Sequence, residues 1–492
     1  MSDETPSSEP KVRTVGGTEY SWCKAVPIGT GITVLGLLLS KPPNISLIQT
    51  TLHNLQNSHP ILRSNLHFDT TTNTFSYLIP STSPHLQIQP FDLQSTSRIL
   101  QTLPNSSNLL PFPLIVEHEL NNHNTWRDPA HPLYADKDVL YTSVYTLSEE
   151  PPRWALTLRL HTSACDRTAA VSLLRELLVL VSGNGKEEEG IERESGEVNL
   201  GIEQLIPPGK ANKPFWARGV DMLGYSLNSF RLANLDFRGT DSPRSSQILR
   251  LQMNPQDTEK LLAEGYGYGA YIVLGGWESE KACKSKGIKL CGALAAAGMI
   301  AAHSSKHLPD HQREKYAVVT LIDCRSTLDP VLRNNQKGFY HSAIMNTHDV
   351  SGEEKLWELA NRCYMSFANS KNSNKHFSDM SDLNFLMCKA IENPGLTPSS
   401  SLRTALISVF EDPVIDESSE IHQQLGLEDC VGCASVHGVG PSIAIFDTIR
   451  NGGLDCVCVY PSPLHSREQM QGLIDHMSRV LVDACNQLES ES

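Results

Sequence analysis

Between Trp154 and Leu160 the chain alternates, with Trp154, Leu156, Leu158 and Leu160 separated by Ala155, Thr157 and Arg159, and His161 next in line. A period of two predicts a strand whose leucine face packs on a core and whose other face carries Thr157, Arg159 and His161. From Ala169 the period changes. Ala170, Leu173, Leu174, Leu177, Leu178 and Val181 recur at helical spacing, with Arg175 and Glu176 on the other side. Asp166 stands where an N-cap belongs. His161 to Asp166, "HTSACD", is therefore a strand-to-helix turn at a sheet edge, where sites are often built.

The same switching of period runs through the chain. "ITVLGLLLS" (32–40) is a strand, and the segment from Asn44 to about Pro60 is a helix with Ile45, Ile48, Leu52 and Leu55 on one face. Thr74 to Ile79 and Leu86 to Ile88 predict short strands, "TSRILQTLPNSSNLLPFPLI" (96–115) a helix giving way to loops. "VLYTSVYTL" and "RWALTLRLH" predict an antiparallel pair turning at Glu149 to Pro152. A Pro, Gly and aromatic mixture at 204–245 reads as a crossover. Beyond it, "QILRLQM" is a strand, followed by a helix capped at Asn254 with Pro255 at its first position. An Ala-rich buried helix, two strands with a helix between them, a hairpin turning at Gly452-Gly453 and a closing amphipathic helix complete the pattern. Both halves read as α/β with mixed sheets.

Composition narrows what such a fold is for. The 492 residues are long enough for two or three domains, with 39% hydrophobic and 20% charged residues. A net charge of −14 with acidic runs such as "KEEEGIERESGE" disfavours a nucleic-acid surface, which needs dense Lys and Arg. No stretch reaches the about eighteen apolar residues that a membrane helix requires. The first eleven residues lack an apolar h-region, so the expectation is a cytoplasmic protein whose twelve cysteines are reduced. Cys430 and Cys433, with Cys456 and Cys458, invite a zinc reading, but the gap between the pairs is long and the second pair sits in a strand pattern; core packing is the competing reading, and no metal is expected. The Gly-rich "EGYGYGAYIVLGGWES" (264–279) follows a helix and leads into a strand, the reverse of a phosphate-binding order.

The order of strand, His-bearing turn, Asp and helix near residue 160, with "SHPILR" upstream and "VVTLIDCRSTLDPVLRNNQKGFYHSAI" downstream, resembles the chloramphenicol-acetyltransferase-like superfamily, which includes the BAHD and alcohol acyltransferases and condensation domains. The resemblance covers about Val26 to Leu488. It implies an α/β fold of two similar mixed-sheet subdomains with a channel between them. The expected division is a disordered tail at 1–17, subdomains at 18–203 and 246–492, and the crossover at 204–245. It also implies an acyl group moving from a thioester, with acyl-CoA as co-substrate and no bound cofactor, to a hydroxyl or amine acceptor.

The residues that resemblance assigns are carried over unevenly. The family's general base, the second His of His-His-three residues-Asp, falls on Thr162, whose hydroxyl has no accessible basic state near neutral pH. The first His falls on His161, which a one-residue bulge would swing toward the channel as a substitute base. The resemblance implies that Asp166 is structural and pairs with Arg63 of "SHPILR". Arg325 in "DCRSTLDP" either supports interdomain contacts or meets an anionic donor. His437 in "SVHGVGPS" lies near the place of a BAHD motif that is absent here; it is either a channel residue or a loop histidine. The chain therefore reads either as a coenzyme A-dependent acyltransferase with an altered motif, or as an inactive member that binds a ligand or a protein partner.

Overall fold

A computed structural model describes residues 10–81, 86–103, 109–126, 137–183, 199–214, 216–219, 231–240, 243–265 and 287–491. The acidic run at 186–197 and most of the Gly-rich segment at 264–279 lie outside the described residues, as do 220–230 of the crossover. The chain divides into two compact units.

The first unit comprises residues 1–206, 325–340 and 418–435. One of its sheets has the order β1 (Lys11–Thr14), β4 (Thr74–Ile79), β3 (Asn65–Asp69), β6 (Lys137–Asp138). The other runs β14 (Leu427–Val436), β2 (Thr30–Leu39), β8 (Pro152–His161), β7 (Leu140–Glu149), β5 (Ile88–Phe91). The β7–β8 hairpin is antiparallel, as the sequence predicts, and β5 joins β7 in parallel, which makes the sheet mixed. Leu156, Leu158 and Leu160 of β8 pack in one core with Leu52 and Leu55 of helix Ile45–Ser58 and Leu173 and Leu177 of helix Arg167–Val181. Each buried leucine contributes about 1.5–3 kcal/mol of transfer free energy.

The other face of β8 is buried as well: Thr157, Arg159 and His161 are enclosed, although their side chains are polar. The cover is helix Pro111–Leu120, in the stretch whose sequence reads as loops. Pro111 and Pro113 conceal this helix from a sequence reading, yet both sit in its first turn, where backbone N–H groups have no intrahelical acceptor to lose. Gly36 lets the helix approach β2, since a Cβ there would lie 3.0 Å from a Val116 methyl.

The second unit comprises residues 207–324, 341–417 and 436–492. Its sheet has the order β11 (His341–Val350), β10 (Glu314–Asp323), β12 (Arg403–Phe410), β15 (Gly440–Arg450), β16 (Gly453–Ser462), β9 (Ser245–Met253), with β13 (Val414–Asp416) beside β15. β12 is parallel to both neighbours and the remaining pairs along that path are antiparallel. The Ala-rich helix Leu290–Ser304 is buried beside β12 and packs with helices Leu356–Asn372 and Arg467–Glu491.

Three expectations are corrected. Residues 11–14 of the expected tail form an edge strand registered with Ser76–Ile79. The units are not two consecutive segments, because residues 325–340 and 418–435 from the second half join the first unit. The β15–β16 hairpin turns at Asn451 and Gly452, not at Gly452-Gly453: both have positive φ, +50° and +78°, and Arg450 pairs with Gly453. That is the two-residue turn whose twist matches antiparallel strands.

Candidate functional site

The motif turn lies within the first unit. β8 remains in register with β2 from Leu39 opposite Trp154 through Ile32 opposite His161, so no bulge precedes the turn. His161 is held in the sheet, 1% exposed, with its ring edge-on to Trp126 at 5.4 Å between centroids. Its Nδ1 caps the short 3₁₀ turn Thr162–Ala164 by accepting the Ser163 N–H at 3.3 Å. The Ser163 hydroxyl lies 2.7 Å from the same nitrogen and accepts a hydrogen bond from the Tyr77 hydroxyl at 2.8 Å. Nδ1 is thus an acceptor facing protein donors, which places the proton of the neutral ring on Nε2. Burial pushes the imidazole pKa down to about 3.

Thr162, at the base position, is also buried, and its Oγ1 lies 2.8 Å from Thr33 Oγ1 on β2. Gly31 seals the turn. It has φ +90°, and a Cβ there would meet the Trp22 ring at 2.7 Å and Thr162 Cβ at 3.3 Å. No side chain of the turn therefore presents a free basic lone pair in this arrangement.

Asp166 has the opposite character, with every group around it consistent with a fixed carboxylate. One oxygen accepts the Ala169 N–H at 2.8 Å and caps helix Arg167–Val181; the other accepts the Tyr340 N–H at 2.8 Å. The Arg325 Nη2 lies 3.0 and 2.9 Å from the two oxygens, and both side chains are 1% exposed. The Asp166 N–H donates to Gly338 O at 3.0 Å, and Arg325 rests over the Tyr340 ring at 5.0 Å. The pairing expected with Arg63 does not form. Arg63, in the short turn Pro60–Arg63, donates instead to the carbonyls of Gln56, Asn57 and Pro80, fastening the end of helix Ile45–Ser58 to the end of β4. Arg325 takes its place because residues 325–340 are part of this unit.

A second tie holds the same segment. Lys337, enclosed by protein, donates to Glu176 at 2.6 Å and to Ser172 at 2.9 Å, both on helix Arg167–Val181. His59 Nε2 lies 2.8 Å from the other Glu176 oxygen. Although burial opposes ionisation, the hydrogen bond from His59 and the Lys337 charge hold the Glu176 pKa at about 2. On the far face of β8, Glu119 accepts from Tyr145 at 2.6 Å, from Thr157 at 3.0 Å and from Arg159, whose guanidinium also lies 5.8 and 5.2 Å from the Trp126 and Tyr141 rings. Sequence reasoning missed Ser163, Tyr77, Glu119, Lys337 and Glu176 as parts of the site. The available signals were Arg159 two residues before His161 on a polar strand face, and Ser172 and Glu176 one helical turn apart.

His437 belongs to the second unit, where its Nδ1 lies 3.0 Å from Ser246 Oγ, which accepts the Val436 N–H. Cys456 and Cys458 are buried in that unit's core, Cys433 is buried in β14, and Cys430 is half-buried. Among the described residues no group of three or more His, Cys, Asp or Glu side chains is arranged to hold a metal ion, and no helix is long and apolar enough to cross a membrane.

No family model and no curated protein matches the sequence. Solved structures do match over nearly the whole length. The chain is similar to TRI3 trichothecene 15-O-acetyltransferase from Fusarium sporotrichioides (11% identity, 98% of this chain and 97% of that one, TM-score 0.67). The chain shares the fold of that acetyltransferase. It is also similar to the first condensation domain of the calcium-dependent antibiotic synthetase, solved with a substrate analogue (14%, 96% and 97%, TM-score 0.56), and to the teicoplanin X-domain solved in complex with OxyB (14%, 99% and 95%, TM-score 0.54). At 11–14% identity these likenesses carry the fold.

Proposed function

We propose that this protein is an acyltransferase-like member whose motif turn has become a structural frame, and that it acts by binding a ligand or a partner protein in a cytoplasmic setting. The observation that carries this reading is the state of the two residues at the base position. Thr162 has no basic lone pair and is bonded to Thr33, while His161 directs its Nδ1 lone pair at Ser163 and is closed off from water. To accept a proton at Nε2, the ring would have to move its proton to Nδ1, against the Ser163 N–H. The X-domain found with OxyB is a fold neighbour seen with a protein partner.

A second reading is favoured by the intact Asp166–Arg325 frame, which orients a turn as a working motif requires. It is acyl transfer from acyl-CoA to a hydroxyl or amine, driven by positioning: the acceptor oxygen or nitrogen bonds to the acyl carbon, the thioester C–S bond breaks, and the acceptor proton ends on the departing thiol. Free thiol release from a panel of acyl-CoAs with alcohol and amine acceptors separates the readings. The binding reading expects release at the uncatalysed rate for the wild type. Release that survives His161→Ala supports transfer by positioning. Release that His161→Ala abolishes, with the circular dichroism spectrum unchanged, overturns the frame reading and makes His161 a relocated base.

A further inference from the structure

An open pocket of about 240 Å³ lies within the second unit, lined by residues 232–237 and 403–405. One of its linings is Arg403, at 3% exposure, which has no carboxylate partner among the described residues. Its Nε donates to Ser401 O at 3.2 Å, Nη1 to Val436 O at 2.9 Å and to Pro441 O, and Nη2 to Gly438 O. Carbonyl dipoles satisfy these N–H groups but leave the unit charge in place, whereas Arg325 has Asp166 to cancel it. Arg244, bonded to the carbonyls of Ser400 and Ser401, adds a second positive charge nearby, and burial together with Arg244 draws the Arg403 pKa down to about 9.

Among the described residues, the lining adds no buried negative charge. Phe237 of the cavity wall packs against His465, fully buried, at 5.6 Å between ring centroids. Burial and the Arg403 charge keep the His465 ring neutral, its pKa at about 3, although contacts with the Asp236 backbone and the Gln469 side chain oppose them. Asp236 is the one acid among the lining residues, and it is exposed to water. Among these residues, the four carbonyl bonds leave one N–H of the guanidinium uncommitted. That suits one oxygen of a carboxylate better than a phosphate, which takes several donors. At about 30 Å³ per water, the cavity equals about eight waters, enough for an acid of a few carbons.

We infer that this cavity is a binding site for a small carboxylate, whose charge balances Arg403. The inference is independent of how the motif turn is read. It is tested by calorimetric titration of the full chain at neutral pH and fixed ionic strength, with acetate, propionate and succinate as probes and acetamide and inorganic phosphate as controls. A saturable heat is expected with at least one acid and none with acetamide. Arg403→Met removes the charge but also four carbonyl contacts, so the decisive variant is Ala233→Leu, which fills the cavity without altering a charge and weakens binding by about tenfold or more. Asp236→Asn removes a competing negative charge and tightens binding by about twofold to fivefold at ordinary ionic strength. The inference is overturned by the absence of any saturable response to the acids, by unchanged affinity in Ala233→Leu, or by phosphate binding tighter than every acid.

Discussion

Arg325 and Arg403 are both almost inaccessible to water, and they are stabilised in different ways. Arg325 meets a carboxylate that is itself fixed by two backbone N–H groups, so a closed, neutral unit joins residues 325–340 to the motif helix. Arg403 meets carbonyl oxygens that bind its hydrogens but leave its charge standing. In the first arrangement the two charges balance each other within the protein. The second leaves positive potential beside a cavity, as a binding site for an anion requires. Under the proposed function the turn at 161–166 serves as structure, while a buried arginine without a carboxylate partner among the described residues lies in the other unit.

The comparison is broken most sharply by removing one member of the first pair. Asp166→Asn or Arg325→Met leaves a buried charge unpaired and is expected to lower unfolding free energy by about 3–5 kcal/mol in urea denaturation. A loss below about 1 kcal/mol for both would mean that the pair does not hold the frame. The double variant is expected to cost less than the sum of the two singles, since each already forfeits the interaction.

Acid is the next lever. The folded pKa of His161, about 3, lies below the ordinary value of 6.5, so the unfolded chain takes up the proton more readily. Stability from the neutral buried ring is therefore complete above about pH 6.5 and declines as pH falls toward 3. Glu176, held at about 2 against an ordinary 4.5, adds a decline between those values. Stability measured by urea denaturation from pH 7 to 4 is expected to fall less in His161→Gln than in the wild type, and equal slopes would contradict the buried neutral ring. The smallest expected effect belongs to Thr162→Val, which removes the bond to Thr33 at about 0.5–1.5 kcal/mol without opening a cavity. A gain or loss of thiol release in Thr162→Val would show that the hydroxyl takes part in chemistry.

Much of the site was legible in the sequence. The change of period around residue 166 located the β8 strand, the turn and the capped helix, because hydrophobic spacing and N-capping are local properties. The partner of Asp166 was not legible: Arg63 and Arg325 are equally basic, and no local pattern tells which of them a chain excursion 159 residues long returns to the turn. Nor was the burial of His161. Alternation placed it on a polar face, and polar faces of strands usually meet water; here Pro111–Leu120, a helix hidden by its two prolines, covers that face and supplies Glu119 to satisfy it. The crossing of residues 418–435 into the first unit escaped notice for the same reason, since strand pairing between distant segments leaves no periodic trace in either.

The central claim is that His161 is a structural, neutral imidazole with its proton on Nε2. Nitrogen-15 NMR of the imidazoles, assigned by comparison with His161→Gln and followed from pH 8 to 4, tests it directly. The account predicts an Nε2–H tautomer that persists down to pH 4, well above its pKa of about 3. A ring carrying its proton on Nδ1, or one that titrates near 6.5 as an accessible histidine does, would contradict the frame and restore His161 as a base.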